Sequence, residues 1–215
     1  MIAQADIRTD RRRARTRAAL LQAGESLFAA QSVEAVSIDD IVAAADVAKG
    51  SFYNHFSDRE ALAREIAVAV RAEAEAQVDQ ANDGIVDPAR RMARGQMVFA
   101  RFALQHPQRA RAMMRLFAGA TQPNAPLNRG VRADIEAGLA TGAFRDLSVE
   151  TGVLMAMGMA MVAVGRVLEP RGNTSAAEIC RDLNFGLLRG LGVPEDLARA
   201  ISDAAADDIF TETRP

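Results

Sequence analysis

Tryptophan is absent from this sequence, and cysteine, tyrosine and lysine occur once each. With Cys180 as the only cysteine, no disulfide forms within the chain, which is typical of proteins in a reducing compartment. The sequence opens without a secretory signal, and its longest uncharged segment, residues 151–165, is shorter than the ~20 residues of a membrane helix. We therefore expect a cytoplasmic protein with no membrane partner.

Signals for strands and hairpins are also scarce, whereas the helix-favouring residues Ala, Leu, Met, Arg and Glu are abundant. Hydrophobic residues make up 49% of the 215 residues, and there is no low-complexity tract. A chain of this length and composition buries a substantial core. The sequence predicts an all-α fold.

The rare residue types concentrate in one short segment, KGSFYNHF, at residues 49–56. It holds the only lysine, the only tyrosine and one of the two histidines. Phe52 and Phe56 are four residues apart and share one face of a helix, which predicts that both point into a core. The polar side chains around them are then expected to face outward.

The flanking residues predict two short helices joined by a tight turn. Ser37-Ile-Asp-Asp40 has the pattern of a capping box, and Asp46-Val47 interrupts the helix that this box opens. Ser57-Asp-Arg-Glu60 has the same pattern and predicts the start of a long helix. Together with a first helix over residues 9–30, this order predicts a helix-turn-helix, whose second short helix enters the DNA major groove.

The outward side chains of the segment suit a DNA surface. Lys49 offers an ammonium to phosphate oxygens, and Ser51 and Tyr53 offer hydroxyls. Asn54 can donate to and accept from a base edge, most naturally that of adenine. Gly50 has no side chain to keep the backbone away from the duplex.

The charge of the N-terminal segment supports DNA binding, whereas the net charge of the whole chain does not. The formal net charge of the chain is −2, but residues 1–20 carry six arginines against two aspartates. A solvated basic tail is the alternative interpretation of such a run.

The segment SIDDIVAAADVAKGSFYNHFSDREAL resembles the DNA-binding signature of the TetR family of bacterial transcriptional regulators. The resemblance covers about residues 14–66. It implies an N-terminal three-helix helix-turn-helix domain (1–58), joined to a larger helical effector-binding and dimerisation domain (59–215), and a homodimer. It also implies DNA contacts at Ser37, Lys49, Gly50, Ser51, Tyr53, Asn54, His55 and Arg59.

Three positions depart from the family pattern. Ser32 and Asp46 stand where glycine is common, and Ala48 replaces the usual hydroxyl residue at the start of the recognition helix. Aspartate tolerates a left-handed backbone better than most residues, so we expect the turn at Asp46 to form.

The rest of the sequence lacks the patterns of catalytic or metal sites. Lys49-Gly50-Ser51 has no upstream glycines of a phosphate-binding loop. His55 lies near Asp58 and Glu60 without metal-ligand spacing. Cys180 has no histidine partner and falls in a helical pattern, where a buried thiol is the usual outcome. We expect no enzyme, no metal and no cofactor.

Two further surfaces are predicted in the C-terminal part. Methionines and phenylalanines on two adjacent helices, including Met92 and Phe99, suggest a pocket for a small hydrophobic or aromatic effector. Small residues along 148–168 suggest close helix approach, and by resemblance that helix pairs with its symmetry mate. The candidate effector residues are Met97, Arg101, Phe102, His106, Met113 and Phe117, and the candidate interface residues are Gly152, Ala156, Gly158, Ala160 and Ala163.

The function expected from these features is that of a homodimeric transcriptional regulator. We expect a repressor that binds a palindromic double-stranded DNA operator and is released by its effector. The alternative is a non-enzymatic helical small-molecule-binding protein whose helix-turn-helix is vestigial.

Overall fold

The computed structural model describes residues 2–116, 128–169 and 172–211, and within these ranges every regular element is a helix. The all-α prediction is confirmed. The segment 119–128 has a composition typical of a loop, and most of it lies outside the described residues. The helices are α1 (Ile2–Ala30), α2 (Ile38–Ala44), α3 (Lys49–Tyr53), α4 (Arg59–Ala81), α5 (Pro88–Gln105), α6 (Pro107–Arg115), α7 (Arg129–Thr141), α8 (Val149–Leu168), α9 (Ala176–Gly190) and α10 (Glu195–Thr211), with a short 3-10 turn at Val33–Ala35.

The chain divides into two compact units. The first, which we call the N-terminal unit, comprises Met1–Val70 and Arg111–Phe117, and the second, the C-terminal unit, comprises Arg71–Ala110 and Ala118–Pro215. The predicted boundary between residues 58 and 59 coincides with the start of α4, whereas the division between the units falls within α4.

In the N-terminal unit, α1 and α4 approach each other closely at Gly24. A Cβ atom added at Gly24 would lie 2.8 Å from Cδ2 of Leu62, so only glycine fits there without a shift of α4 side chains. Phe28, Ile41 and Phe52 are fully buried and join α1, α2 and α3 into one core. Removing such a side chain typically costs ~3–5 kcal/mol for phenylalanine, so this core fixes the position of α3.

The C-terminal unit is organised around α5, which contacts α7, α8, α9 and α10. Ten of the residues of α5 are buried, so this helix is enclosed on most of its sides. Asp87 accepts hydrogen bonds from the amides of Ala89 and Arg90, and Pro88 occupies the first turn, where a missing amide costs nothing.

Helix caps follow the sequence prediction at one box and depart from it at the other. Ser37 and Asp40 form the predicted reciprocal capping box at α2. The box predicted at Ser57 and Glu60 is wrong, because Oδ1 of Asp58 accepts the amide of Ala61 at 2.6 Å. Ser57 instead donates its hydroxyl to Asp58 at 2.9 Å.

Helix α8 is the most apolar element of the chain. Its 20 residues and mean hydropathy of 1.7 make it long and apolar enough to cross a membrane by length and composition alone. The expectation that this segment is too short to cross a membrane is therefore wrong as to length, because the helix extends beyond residues 151–165 at both ends. One side of this helix packs against α5, α7 and α9, and 44% of its apolar window is buried within the chain.

Candidate DNA-binding surface and effector cavity

The segment 49–56, which contains α3, presents its predicted polar residues to solvent because its two phenylalanines are buried. Phe52 is fully buried and Phe56 nearly so, with ring centroids 5.7 Å apart. Tyr53 is 55% exposed and packs edge-on against Phe52. Lys49, Gly50 and Asn54 are exposed, and Ser51 and His55 are half-buried. The predicted inward and outward sides of this segment are confirmed.

The turn before α3 takes the geometry expected of a helix-turn-helix. Asp46 has a φ of 52°, in the left-handed region, as its place at a usual glycine position predicts. Ser32, the other such position, has a φ of −69° and carries no such strain. Ala48 is the N-cap of α3 and gives no side-chain hydrogen bond, so this helix begins without the cap that a hydroxyl would supply.

The ammonium of Lys49 is paired within the same unit. Its Nζ lies 2.8 Å from Oδ1 and 3.0 Å from Oδ2 of Asp39 on α2, and this hydrogen bond raises the pKa of Lys49. Both side chains are largely exposed. A phosphate that binds Lys49 must therefore compete with a carboxylate on the same surface.

Arg59 is committed to the protein backbone. Its Nη1 donates to the carbonyl oxygens of Glu34 at 3.1 Å and Val36 at 3.2 Å, and its Nε donates to Glu60 at 2.8 Å. These bonds tie the segment before α2 to the first turn of α4. The structure thus gives Arg59 a positioning role, which the sequence did not predict. Its expected phosphate contact stays a prediction.

A basic cleft lies beside the end of α3. It is lined by Asp10, Arg13, Ala14 and Arg17 of α1 and by His55. Partial burial, followed by the nearby guanidinium groups of Arg13 and Arg17, lowers the pKa of His55. Arg17 also forms an ion pair with Glu65 and lies over the ring of Phe56 at 5.5 Å. The positive charge of α1 therefore adjoins the outward side of α3.

The C-terminal unit contains a cavity that opens to solvent and has an enclosed volume of about 40 Å³. Four helices of this unit, α4, α5, α7 and α8, contribute its walls. One part of the wall is apolar, and the other carries carboxylates, guanidiniums and one amide. The lining residues are Arg71, Glu75, Val78, Asp79, Arg91, Met92, Gly95, Gln96, Phe99, Gly130, Val131, Asp134, Ala156, Met157 and Ala160.

The two arginines of the cavity both have partners. Arg71 is 3% exposed, and its Nε donates to Oε1 of Glu75 at 2.7 Å. Its guanidinium lies 4.8 Å from the ring centroid of Phe99. Arg91 donates through Nε to Oδ1 of Asp134 at 2.6 Å.

The carboxylates of the cavity sit in a dehydrated environment. Burial raises the pKa of Glu75 and of Asp134, although Arg71 and Arg91 act in the opposite direction on their respective partners. The charge of Asp79 raises both pKa values further. Additional negative charge in this cavity is therefore unfavourable.

Gln96 brings an unsatisfied acceptor to the cavity wall. Its Nε2 donates to the carbonyl oxygen of Ala156 at 3.0 Å, which fixes the orientation of the amide. Its Oε1 is buried and accepts no hydrogen bond within the described part of the chain. Gln96 as a whole is 8% exposed. Such an acceptor is costly unless a donor reaches it.

The candidate effector residues from the sequence lie elsewhere. Met97 and Phe102 are fully buried, and Arg101 and His106 are half-buried, and none of the four lines this cavity. Met113 is buried in the N-terminal unit. Phe117 lies outside the described residues. The effector role of this set stays a prediction. Two other candidates, Met92 and Phe99, do line the cavity.

The candidate interface residues divide between two sides of α8. Gly152, Ala156, Ala160 and Ala163 are buried within the chain, and Ala156 and Ala160 line the cavity. Gly158 is exposed, and a Cβ atom added there meets nothing within 4 Å.

The sequence predicts neither a metal site near His55 nor a reactive thiol at Cys180. Among those residues, no group of three or more His, Cys, Asp or Glu side chains is placed to hold a metal ion. Cys180 is buried, as its helical context predicts, and burial raises its pKa from 9.0 to about 12.

Comparison with known proteins supports the N-terminal interpretation. Residues 20–66 match the family model described as bacterial regulatory proteins, tetR family. The HTH-type transcriptional repressor DhaR of Mycobacterium sp. (strain GP1) is 32% identical over 74 residues. That match covers 34% of this chain and 37% of the repressor, so the shared sequence spans little more than a third of either protein.

Solved structures extend the likeness to most of the chain. RolR, solved in complex with resorcinol, is 25% identical with a TM-score of 0.62, over 90% of this chain and 95% of that one. A γ-butyrolactone receptor described as ArpA-like is 24% identical with a TM-score of 0.64, over 94% and 99%. The second likeness concerns the fold alone. The expected architecture, a helix-turn-helix domain followed by a larger helical domain, is therefore confirmed.

Proposed function

We propose, from the membership of this chain in the TetR family of bacterial transcriptional regulators, that it is a repressor that binds a DNA operator and is released by a small molecule. One observation carries this proposal. The recognition helix α3 is anchored by the buried Phe52, while the polar side chains of Lys49, Tyr53 and Asn54 remain exposed. A short helix with this division of sides is what a major groove accepts.

Positive charge on α1 supports DNA as the partner. Arg11, Arg12, Arg13 and Arg15 are exposed near the cleft at His55. Phosphate contacts position a protein on the duplex without reading its sequence, and base contacts provide the specificity. We assign the first role to these arginines and Lys49, and the second to Asn54.

The cavity in the C-terminal unit supports the effector half of the proposal. Its walls combine apolar side chains with a few polar groups, as the walls of ligand sites usually do. RolR, which has a similar structure, is described in complex with a small aromatic molecule, resorcinol. Effector binding would favour an arrangement that no longer fits two operator half-sites.

A homodimer completes the proposal, and exposed residues of α8 suggest where it forms. Leu154 is 38% exposed and Val162 58% exposed, and Gly158 lies between them on the same side of the helix. These three residues, which we call the α8 stripe, form an apolar surface without charge. Isologous pairing of the stripe around a two-fold axis would bury it.

Selection from a pool of random duplex DNA tests the proposal without knowledge of the operator. The purified chain is expected to enrich an inverted repeat with half-sites about one helical turn apart. Asn54→Ala should then lose ~1–3 kcal/mol at one symmetric pair of positions and relax selectivity there.

Asn173→Ala provides the matched control, because Asn173 is an exposed asparagine of the C-terminal unit. It should leave selection and affinity unchanged. No enrichment by the wild-type chain would overturn the DNA-binding proposal and favour a small-molecule-binding protein with a vestigial helix-turn-helix.

A further inference from the structure

We infer that the cavity selects uncharged aromatic molecules that donate hydrogen bonds, that is, phenols, over carboxylates and over molecules that only accept. This inference rests on the proposed effector function and adds the chemistry of the effector. It follows from three features of the cavity: an acceptor without a donor, an excess of carboxylates, and an apolar wall beside them.

The acceptor is Oε1 of Gln96. Because Nε2 of the same amide is held by the carbonyl of Ala156 at 3.0 Å, the amide cannot rotate to offer a donor without losing that bond. Oε1 is buried and has no partner within the described residues. A ligand hydroxyl or amine satisfies this oxygen, whereas an ether, an ester or a lactone carbonyl leaves it unpaired.

The charges of the lining disfavour anions. Glu75, Asp79 and Asp134 supply three carboxylates, and Arg71 and Arg91 supply two guanidiniums. Each guanidinium already donates to a carboxylate of the cavity, Arg71 to Glu75 and Arg91 to Asp134. A ligand carboxylate would enter a site that has an excess of negative charge and would have to compete for both arginines.

The apolar wall favours a flat ring. Val78, Phe99, Val131 and Met157 line the cavity together with the small Ala160. The Phe99 ring already receives the Arg71 guanidinium on one side at 4.8 Å, which holds the ring in place. Because the enclosed volume is about 40 Å³, a ring enters only when the wall side chains move apart, and its hydroxyl then shares the cavity with Gln96 and the carboxylates.

Matched pairs of small probes test the inference on the full chain. Phenol and resorcinol donate hydrogen bonds, anisole replaces the phenolic hydrogen by a methyl group, and benzoate carries a charge. Equilibrium binding measured by calorimetry and by thermal unfolding should rank phenol and resorcinol at least about tenfold above anisole and benzoate. γ-Butyrolactone, which only accepts, should bind as weakly as anisole.

Gln96→Leu isolates the acceptor. The substitution keeps a similar side-chain volume and removes Oε1. The affinity for phenol should therefore fall about tenfold, and the affinity for anisole should stay the same. Gln105→Leu makes the same change at an exposed position of α5 outside the cavity and should alter neither affinity. If Gln96→Leu fails to fold, the ranking of probes on the wild-type chain decides the question.

Several outcomes would overturn the inference. They are equal binding of phenol and anisole, preferential binding of benzoate, an unchanged ratio in Gln96→Leu, or no binding of any probe. Operator release is measured separately. If phenol binds with the expected selectivity but leaves operator binding unchanged, the cavity chemistry stands and the repressor-release proposal fails. If an anionic molecule releases the operator, the release proposal stands and this inference fails.

Discussion

Lys49, a proposed DNA contact, is also paired within the chain. Its ion pair with Asp39 places a carboxylate on the proposed DNA surface. Asp39→Asn removes this competitor, so operator affinity should rise and the slope of log K against log salt should steepen by up to about one unit. Lys49→Ala should weaken binding and reduce that slope by about one unit.

Fluorescence anisotropy at several salt concentrations measures both changes. Asp207→Asn removes an exposed carboxylate of the C-terminal unit and serves as the control, with no change in slope expected. Identical slopes for wild type and both Lys49 and Asp39 variants would mean that Lys49 does not contact phosphate.

Cys180 makes a prediction about stability at alkaline pH. An unfolded thiol titrates near 9.0, and burial raises the pKa of this thiol to about 12 in the fold. Between these values the folded state retains a proton that the unfolded state has lost, so this group makes stability fall as pH rises from about 9. Denaturant unfolding of wild type and Cys180→Ala should show a steeper alkaline loss for wild type. Equal pH slopes would contradict the burial of this thiol.

At the scale of elements, we expect the arginines in the first half of α1 to lower the pKa of His55. Burial is the largest cause of the lowered pKa of His55, and the charges of Arg13 and Arg17 lower this pKa further below 6.5. Arg13→Ala should therefore raise that pKa, and Arg15→Ala, an exposed arginine of α1 outside the cleft, should have less effect. NMR titration is simple because the chain has only two histidines. A His55 pKa that is unchanged in Arg13→Ala would show that α1 does not adjoin α3 in solution.

The position of His55 in this cleft predicts how operator affinity changes with pH. A phosphate beside His55 would favour its protonated form, so operator affinity should rise as pH falls from about 7.5 to 6. The fold itself should behave oppositely. Because the pKa of His55 is lowered in the folded state, this group's contribution to stability is lost as pH falls below 6.5.

The helix starts and turns that the sequence predicted correctly are those determined by residues within one helical turn. Ser37 and Asp40 define the start of α2, because caps depend on residues within one turn. Asp46 marked the tight turn for the same reason. The start of α4 was misjudged because Ser57 and Asp58 are both good caps, and only the path of the chain decides between them.

The cavity could not be predicted from the sequence because its walls combine residues of four helices, spread between Arg71 and Ala160, and only the packing of these helices brings them together. Helix α5 is buried on most of its sides, so its apolar pattern does not indicate which side meets empty space. Met97 and Phe102 pack in the core, whereas Met92, Gln96 and Phe99 follow one another at four- and three-residue spacing along the cavity wall. The sequence also does not show that Ala156 fixes the Gln96 amide, or that Oε1 of Gln96 lacks a hydrogen-bond partner within the described residues.

For the whole molecule, the central question is the dimer, and the two sides of α8 now require different tests. Ala160 is 3% exposed and lines the cavity, so Ala160→Glu buries a carboxylate within the chain and should destabilise the fold by several kcal/mol. Such a variant says nothing about an interface. Gly158 faces open space, so Gly158→Glu leaves the packing of the single chain intact.

Gly158→Glu is therefore the decisive variant for the α8 stripe. Two-fold symmetry would place both new carboxylates in the apolar interface, where they repel and lose their water. We expect a monomer by sedimentation, with unchanged helical circular dichroism and strongly reduced operator affinity, because a monomer holds one half-site. Ala137→Glu, on the exposed side of α7, adds the same charge away from the stripe and should remain dimeric. If Gly158→Glu stays dimeric with normal operator affinity, the stripe faces solvent, and the dimer must form through another surface.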